Sequence, residues 1–269
     1  MENLNLLYGT VLLRPYVFIF LACYLAVAVL HMGYTRTIVF TLLAYTIAFL
    51  SEYSSTRNGF PYGHYTYIEA TRNQELWISN VPFMDSLSFT FLSFFSYQAA
   101  LLIWSPLEKN GLDTHIVEKD SIKYSLRVVF TGALLFMFLD VVIDPVAFLG
   151  DRWFLGKIYT YEEEGAYFNI PLTNFAGWFM VGAAILYAFT RVDKWMTLKN
   201  GTGYYGKRKV PYQGLFGPGI YLGVMAFNLA VTFYIGEFIL GLCGTGLTLA
   251  ILSLLIFKIR NPQKFTGET

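Results

Sequence analysis

The chain alternates between long apolar runs and short polar segments, which is the pattern of a membrane protein. A helix that crosses a bilayer needs about 20 mostly apolar residues. The last run covers about 40 residues, which suits two helices joined by a tight turn near Gly236 and Glu237. Seven spans are therefore predicted, at residues 16–33, 37–54, 82–104, 124–149, 171–190, 217–235 and 238–257. The pattern predicts an all-α fold, a polytopic membrane helix bundle that forms one integral domain over residues 1–269.

The composition supports this prediction and excludes several classes of protein. Of the 269 residues, 55% are hydrophobic and only 14% are charged, whereas soluble domains have about 25% charged residues. A soluble globule, a disordered chain and a nucleic-acid binder are therefore excluded. Cys23 and Cys243 both lie inside apolar runs, so they indicate neither a disulfide framework nor a zinc site.

The distribution of basic residues predicts how the bundle is oriented. Lys and Arg concentrate in the cytoplasmic loops of membrane proteins. With seven spans, the amino terminus shares one side with the second, fourth and sixth loops. That side carries only five of the 19 basic residues, namely Arg14, Arg57, Arg72, Arg152 and Lys157. We expect the amino terminus outside and the carboxyl terminus in the cytoplasm, with the chain in the cell membrane.

Four carboxyl groups fall inside the predicted helices, in their outer thirds. A carboxylate costs about 2.5–3.5 kcal/mol at the centre of a bilayer, so it is rarely placed there without a role. Asp140 and Asp144 lie late in the fourth helix, and their i, i+4 spacing puts them on one face. Pro145 is expected to break that helix directly afterwards. Glu52 ends the second helix and Asp85 opens the third.

These carboxyl groups have a chemical interpretation and a structural one. Neighbouring carboxyl groups in apolar surroundings favour the protonated form, and a protonated carboxyl can act as a general acid near neutral pH. The structural alternatives are that Asp85 caps its helix and that Glu52 pairs with Arg57. Asp144 could instead be an interfacial residue that precedes a proline. Asp140 could instead have a purely structural role.

Polar and aromatic residues accompany the acids at the same depth. Asn174 can hydrogen-bond a carboxyl or hold a water, whereas Asn228 is typical of helix–helix contacts. The chain has 20 Tyr, 25 Phe and five Trp, which is more than interfacial belts need. We expect the aromatic second and fourth loops to fold back over the bundle. The alternatives are an ordinary belt and an apolar tunnel whose rings stabilise a carbocation by about 1–2 kcal/mol each.

Other motifs carry less information. Residues 201–206 match GxGxxG by chance in a basic loop, and Glu162 to Glu164 are expected to be solvated. Gly219 and Gly223 form a GxxxG pattern that predicts close helix packing. The three histidines are far apart, which excludes the His clusters of membrane di-iron enzymes. No lysine lies inside the seventh span, so a retinal Schiff base is not expected, and neither a metal nor a cofactor site is predicted.

Three segments together resemble the membrane carotenoid-biosynthesis family that contains bisanhydrobacterioruberin hydratase, a carotenoid 1',2'-hydratase type. The match covers roughly residues 35–195. Two departures are Tyr159 with Tyr161, where a Trp-rich segment is expected, and Asn169, where glycine is expected. The matching residues are Glu52, Gly59, Gly63, Tyr65 and Tyr67, then residues 139–145, and then residues 165–171 leading to Asn174 and Trp178.

The resemblance implies hydration of a terminal isoprenoid double bond in a linear carotenoid, without cofactor or metal. Its implied partners are the carotenoid, the bilayer and other carotenoid enzymes, with no nucleic acid. A carboxylic acid protonates the alkene and water captures the tertiary cation. The implied catalytic residues are Asp140, Asp144, Glu52 and Asn174, with Asp140 or Asp144 as the acid. The implied substrate-binding residues are Tyr65, Tyr67, Tyr167 and Trp178, together with His64 and Arg57 of the second loop.

Two alternatives stay open from the sequence. A carotenoid end-group cyclase would use the same protonation step, but an internal double bond would capture the cation. A transporter or lipid-binding membrane protein would use the acids as a proton or cation relay without any reaction on a substrate.

Overall fold

The computed structural model describes residues 2–200 and 210–263. The GxGxxG pattern at 201–206 and the basic residues at 207–209 and 264 lie outside the described residues. The helices are α1 (Glu2–Leu13), α2 (Pro15–Asn58), α3 (Phe83–Trp104), α4 (Asp120–Lys123), α5 (Leu126–Phe148), α6 (Leu172–Asn200), α7 (Gln213–Tyr234) and α8 (Phe238–Arg260). The strands are β1 (Tyr65–Tyr67), β2 (Trp77–Ile78), β3 (Val81–Pro82), β4 (Leu107–Asn110), β5 (Asp113–Ile116) and β6 (Tyr159–Tyr161).

Helix α2 is a hairpin of two arms that turns at Gly33. This residue has φ 77° and ψ 168°, a conformation open to glycine because it has no Cβ. The hydroxyl of Tyr24 lies 2.7 Å from Oγ1 of Thr41, 17 residues further on. In a straight helix the two residues would be about 25 Å apart. The arms are therefore antiparallel neighbours, one on each side of the sequence break that separates the first two predicted spans.

The bundle is built around α3. In the most apolar 18-residue stretch of α3, 94% of the residues are buried. The helix packs against α2, α5, α6, α7 and α8. Six helices in the described residues, with the α2 hairpin counted once, are long and apolar enough to cross a membrane. The predicted all-α polytopic bundle is confirmed, and the chain is a membrane protein. Which terminus faces the cytoplasm stays a prediction.

The alternating helices give the bundle two chemically different ends. At one end, which we call the acidic end, the second arm of α2 and helix α5 finish while α3 and α6 begin. Glu52, Asp85, Asp144 and Asn174 lie at these four helix termini. The Gly33 turn, the β4–β5 hairpin and α4 lie at the opposite end. The predicted common depth of the four polar residues thus follows from the chain direction of their helices.

Three local expectations differ from the structure. Pro145 does not break α5, which continues to Phe148; membrane helices tolerate proline where neighbouring groups compensate for the lost hydrogen bond. Gly219 and Gly223 do not mediate close packing, because a Cβ at either position would meet nothing within 4 Å. Helix α6 extends well beyond predicted residue 190, since hydropathy marks the apolar stretch and does not mark the end of the helix.

A buried ionic network holds the opposite end together. Asp193 of α6 is completely buried. It accepts from Nε of Arg36 at 2.5 Å, from Nζ of Lys123 at 2.7 Å and from the hydroxyl of Tyr124 at 3.2 Å. The network connects the second arm of α2, α4 and α6. Neutralising Asp193 would remove a buried counter-ion from Arg36 and from Lys123, which also pairs with Glu118 at 3.2 Å.

We therefore predict that Asp193→Asn destabilises the protein strongly. Removing one partner of a buried ion pair costs about 3–5 kcal/mol, because the remaining charge stays buried. Thermal unfolding in detergent or nanodiscs should show a midpoint several degrees lower than in the wild type.

The matched control is Glu69→Gln, which breaks the Arg72–Glu69 pair, where both side chains are substantially exposed. Exposed pairs contribute about 0–1 kcal/mol, so this midpoint should stay close to the wild-type value. Equal shifts for the two variants would contradict a structural role for the buried network.

Candidate functional site

Two tyrosine-containing strands form a lid over the acidic end. Strands β1 and β6 are antiparallel, with Tyr65 opposite Tyr161 and Tyr67 opposite Tyr159. Residues i and i+2 of a strand point to the same side, so the four tyrosines share one face of the two-stranded sheet. Ring centroids of Tyr65 lie 6.1 Å from Tyr159 and 6.0 Å from Tyr161. We call these four residues the tyrosine cluster. The hydroxyls of Tyr67, Tyr159 and Tyr161 reach carboxyl groups of the helices, and that of Tyr65 lies 3.4 Å from the hydroxyl of Tyr67.

Asp144 is surrounded by hydrogen-bond donors. Tyr159 donates to Oδ1, Tyr161 donates to Oδ2 at 2.9 Å, and Nδ2 of Asn174 donates to Oδ2 at 3.0 Å. Burial raises the pKa of both Tyr159 and Tyr161 well above the ordinary value, so both remain neutral O–H donors. Three donors to one carboxyl group favour its ionised form.

Asp140, one helical turn away, has the opposite environment. It is completely buried, and Nδ2 of Asn174 donates to its Oδ2 at 2.7 Å. Within the described residues, its Oδ1 has no hydrogen-bond partner. A buried carboxylate oxygen without a donor is costly, whereas a protonated Oδ1 needs no donor. The two aspartates therefore differ in their hydrogen-bond environments, with Asn174 bridging them.

Glu52 and Asp85 form a second carboxyl pair. Ser86 donates to Oε2 of Glu52, and the hydroxyl of Tyr67 contacts both Oε1 of Glu52, at 3.2 Å, and Oδ2 of Asp85. A phenol has one proton to donate and can accept another. Both contacts are hydrogen bonds only when one of the two carboxyls donates its own proton to Tyr67. Asp85 is thus part of a polar network, and the structure shows no side-chain cap on α3.

Two small cavities meet at these groups. The apolar chamber, about 130 Å³ in volume, is lined mostly by apolar residues such as Phe20, Met84, Phe91 and Ile143, together with Asp140, Ser88 and Asn228. The polar chamber, about 50 Å³ in volume, is lined by Glu52, Asn174, Tyr62 and the tyrosine cluster. Asp85, Asp144, Tyr159 and Trp178 line both chambers. A group in the apolar chamber therefore lies next to any small polar molecule in the other.

Trp178 is held rigidly between the two chambers. Its ring stacks on Phe89 with centroids 4.4 Å apart, and it lies 4.6 Å from the ring of Phe136. Such aromatic contacts contribute about 0.5–1.5 kcal/mol each beyond the burial of apolar area. The indole face is thus fixed as a wall beside the carboxyl groups.

The structure brings together most, but not all, of the residues predicted for the site. Glu52, Asp140, Asp144, Asn174, Tyr65, Tyr67 and Trp178 line the chambers. Tyr167 lies outside both chambers, against Phe168 and Phe175. His64 is exposed, and exposed Arg57 donates to Oδ1 of Asn80 at 2.7 Å, so it does not pair with Glu52. The predicted solvated run at 162–164 is exposed.

The site also contains residues that the sequence did not assign to it, among them Asp85, Tyr62, Tyr159, Tyr161 and Ser86. A signal for two of them exists: the tripeptide Tyr-Thr-Tyr occurs at both 65–67 and 159–161. Alternating tyrosines with threonine between them predict strands with one aromatic face. That the two strands pair with each other could not be deduced, because more than 90 residues and two helical spans separate them.

The turn before α6 explains one departure from the family pattern. Asn169 stands where glycine is expected, and it has φ 67°, in the left-handed region that asparagine tolerates. Gly165 bridges to Asn169, and a Cβ on Gly165 would lie 1.9 Å from the carbonyl carbon of Ile170. This tight turn places Asn174 at the start of α6, within reach of both aspartates.

Comparison with known proteins supplies one match. A family model described as "Carotenoid biosynthesis protein" matches residues 13–251, which is most of the chain and includes every residue of the two chambers. No curated protein and no solved structure matches the chain.

We predict that Asn174→Asp disrupts the site locally. The substitution replaces an amide that donates to two carboxyl groups with a third carboxyl group at the same place. Loss of both hydrogen bonds and the new repulsion should lower the thermal midpoint measurably, since a buried polar group without its partner costs about 1–3 kcal/mol.

Asn58→Asp is the matched control. Asn58 is exposed, and its side-chain oxygen accepts from the backbone N–H of Phe60 at 2.9 Å. An aspartate at position 58 can accept the same bond, so stability should stay within about 0.5 kcal/mol. A wild-type midpoint for Asn174→Asp would show that the amide does not hold the two aspartates.

Proposed function

This chain belongs to the carotenoid biosynthesis protein family, and from that premise we propose that it is a cofactor-independent carotenoid hydratase. Water adds across a terminal isoprenoid double bond of a linear carotenoid and gives a tertiary alcohol. One observation carries the proposal: Asp140, whose buried Oδ1 has no hydrogen-bond partner among the described residues, lines an apolar chamber that borders a polar one. The enzyme acts in a membrane, for which we propose the cell membrane.

Asp140 is the proposed general acid. Its Oδ1 carries the proton, which passes to the terminal alkene carbon that bears one hydrogen, and the electron pair of the double bond forms the new C–H bond. The adjacent, fully substituted carbon becomes a tertiary cation. Asn174 keeps Oδ2 of Asp140 in place at 2.7 Å. No donor competes for Oδ1 among the described residues, so the acid is not occupied by another hydrogen bond.

Asp144 and the aromatic rings stabilise the cation. The three donors to Asp144 favour a carboxylate beside the chamber in which positive charge develops. Trp178 and Tyr159 line the same chamber, and a desolvated aromatic face attracts a cation with about 2 kcal/mol. Both contributions act on the charged intermediate and leave the neutral alkene unaffected, which is the requirement for catalysis.

The polar chamber supplies the water. Its volume of about 50 Å³ exceeds the space that one water molecule needs, about 10–15 Å³ on the same measure. Glu52 and Asp85 line the polar chamber, and in the proposed mechanism the member of the pair that accepts a hydrogen bond from Tyr67 is a carboxylate. That carboxylate takes the proton when the water oxygen bonds to the cation. The product gains one water, and proton transfer back to Asp140 restores the starting state.

The size of the apolar chamber favours hydration over cyclisation. An apolar cavity of about 150 Å³ takes up benzene, so a chamber of about 130 Å³ holds roughly one isoprenoid unit. A cyclase has to fold at least two such units so that an internal double bond reaches the cation. The separate water-sized chamber beside the acids is also a feature that a cyclase would need to exclude.

We predict that Asp140→Asn abolishes conversion and leaves the protein folded in the membrane. Amide and carboxyl groups have similar size, but an amide cannot deliver the proton. Positioned acid catalysis contributes about 10²–10⁴-fold, so product should fall by at least that factor in cells that make a linear carotenoid. Chromatography and mass spectrometry of the pigments provide the measurement.

Asp151→Asn is the matched control, because Asp151 is exposed in the short turn after α5. This variant should convert substrate at the wild-type rate. Wild-type conversion by Asp140→Asn would remove Asp140 from the mechanism, and an unaltered pigment profile with the wild-type protein would favour a transporter or lipid-binding protein.

A second prediction separates the hydratase from the cyclase. Product formed in isotopically labelled water should contain the labelled oxygen and exceed the substrate by the mass of one water molecule. The oxygen should sit on the fully substituted terminal carbon, because the cation forms there. An isomer of unchanged mass with a cyclic end group would establish the cyclase instead.

A further inference from the structure

A membrane-facing groove lies beside the apolar chamber. Its volume is about 540 Å³, and it is lined by residues of α7 and of the turn after α5, including Trp153, Phe154, Phe227, Ala230 and Tyr234. Phe154 is 64% exposed and Tyr234 is 83% exposed. Both belong to the apolar surface of a helix bundle in a membrane, so the groove opens towards the bilayer.

The groove and the chamber share two of their walls. Trp153 and Phe227 line both spaces, with ring centroids 6.5 Å apart. Phe227 also contacts Tyr16 at 6.5 Å and Phe20 at 6.3 Å, on the first arm of α2. These four residues, Tyr16, Phe20, Trp153 and Phe227, form what we call the aromatic collar. The collar separates the chamber that contains Asp140 from the groove on the membrane side.

Two contacts fix the collar and the mouth of the groove. Nε1 of Trp153 donates to the backbone carbonyl of Val146 at 2.9 Å, which holds the indole against the end of α5. Arg152 pairs with Glu237 and donates to the carbonyl of Ile235, in the turn between α7 and α8. The ion pair therefore bridges the rim of the groove and leaves its walls apolar.

We propose that the groove binds the unreacted length of the linear polyene while the aromatic collar admits its end group to the chamber. This inference rests on the proposed function. The chamber holds about one isoprenoid unit, so the rest of a long substrate has to lie elsewhere. The groove is apolar, has several times the volume of the chamber and meets it at the collar. Collar and groove together position the terminal double bond, and no internal one, beside Asp140.

A cysteine-protection experiment tests binding independently of the reaction. The protein carries Asp140→Asn, so that nothing is converted, and Cys23 and Cys243 are replaced by alanine. Ala230→Cys then introduces a thiol in the groove, and a lipid-soluble maleimide measures its labelling rate in nanodiscs. Ala226→Cys is the matched control, since it is exposed one turn earlier on α7 and does not line the groove.

The probe is a linear carotene with open ends, and the expected result is selective protection. At about ten times its dissociation constant the carotene should slow labelling at position 230 about tenfold and leave labelling at 226 unchanged. A short isoprenoid of two units should not protect, because it fits the chamber and its collar alone. Equal labelling with and without carotene, or equal protection by lipid acyl chains alone, would overturn the proposal.

A second pair of variants connects the groove to turnover. Ala230→Trp fills the groove and should raise KM for the long substrate several-fold with kcat nearly unchanged, because the chemical groups are untouched. Ala226→Trp should behave as the wild type, since helical side chains lean towards the amino terminus, away from the groove. Identical kinetics for both variants would overturn the groove proposal. Absence of any product with protection intact would instead refute the hydratase proposal and leave the groove established as a polyene site.

Discussion

Carboxyl groups in apolar helix segments have to find donors or keep their protons, and this constraint determines the structure of the acidic end. The bilayer core offers no bulk water to satisfy them, and each unsatisfied polar group costs several kcal/mol. The bundle meets the requirement from its loops: the tyrosine cluster folds inward, and Tyr67, Tyr159 and Tyr161 form hydrogen bonds with acids on three different helices. The loops are thus held over the helix ends by the same bonds that set the state of the acids.

The two ends of the bundle show how a structural acid differs from a candidate catalytic one. Asp193 is buried with two cations and a hydroxyl as partners, so it takes part in a network of fixed charges that connects helices. Among the described residues, Asp140, Asp144 and Glu52 take their hydrogen bonds from amide and hydroxyl groups. Neutral donors leave room for a change of protonation during a reaction. This contrast in partners, more than burial, distinguishes the acidic end as a place for proton transfer.

Hydropathy and spacing were sufficient to predict the helices and the depth of the acids, because both depend on position along the chain. Asp140 and Asp144 share a face through their spacing alone, and Glu52, Asp85 and Asn174 reach the same level through the alternating helix directions. Hydropathy does not determine the rotation of a helix about its axis. Only the structure shows that these residues line the same two chambers. The pairing of β1 with β6 depends on a contact between loops that are distant in the sequence. Whether Pro145 breaks its helix, and whether Gly219 and Gly223 mediate packing, depends on neighbouring helices that a local sequence rule does not describe.

For the proposed hydratase, the division into two chambers resolves a conflict that hydration inside a membrane would create. Protonation of an alkene requires a dry environment, since a solvated carboxyl gives its proton to water, whereas capture of the cation requires a water molecule at hand. Asp140 lines only the apolar chamber and Glu52 lines only the polar one. Asp85, Asp144, Tyr159 and Trp178 form the boundary, where the cation would develop. A single mixed cavity would hydrate the acid before the alkene arrived, so the separation of the two chambers is the arrangement that lets one small site carry out both steps.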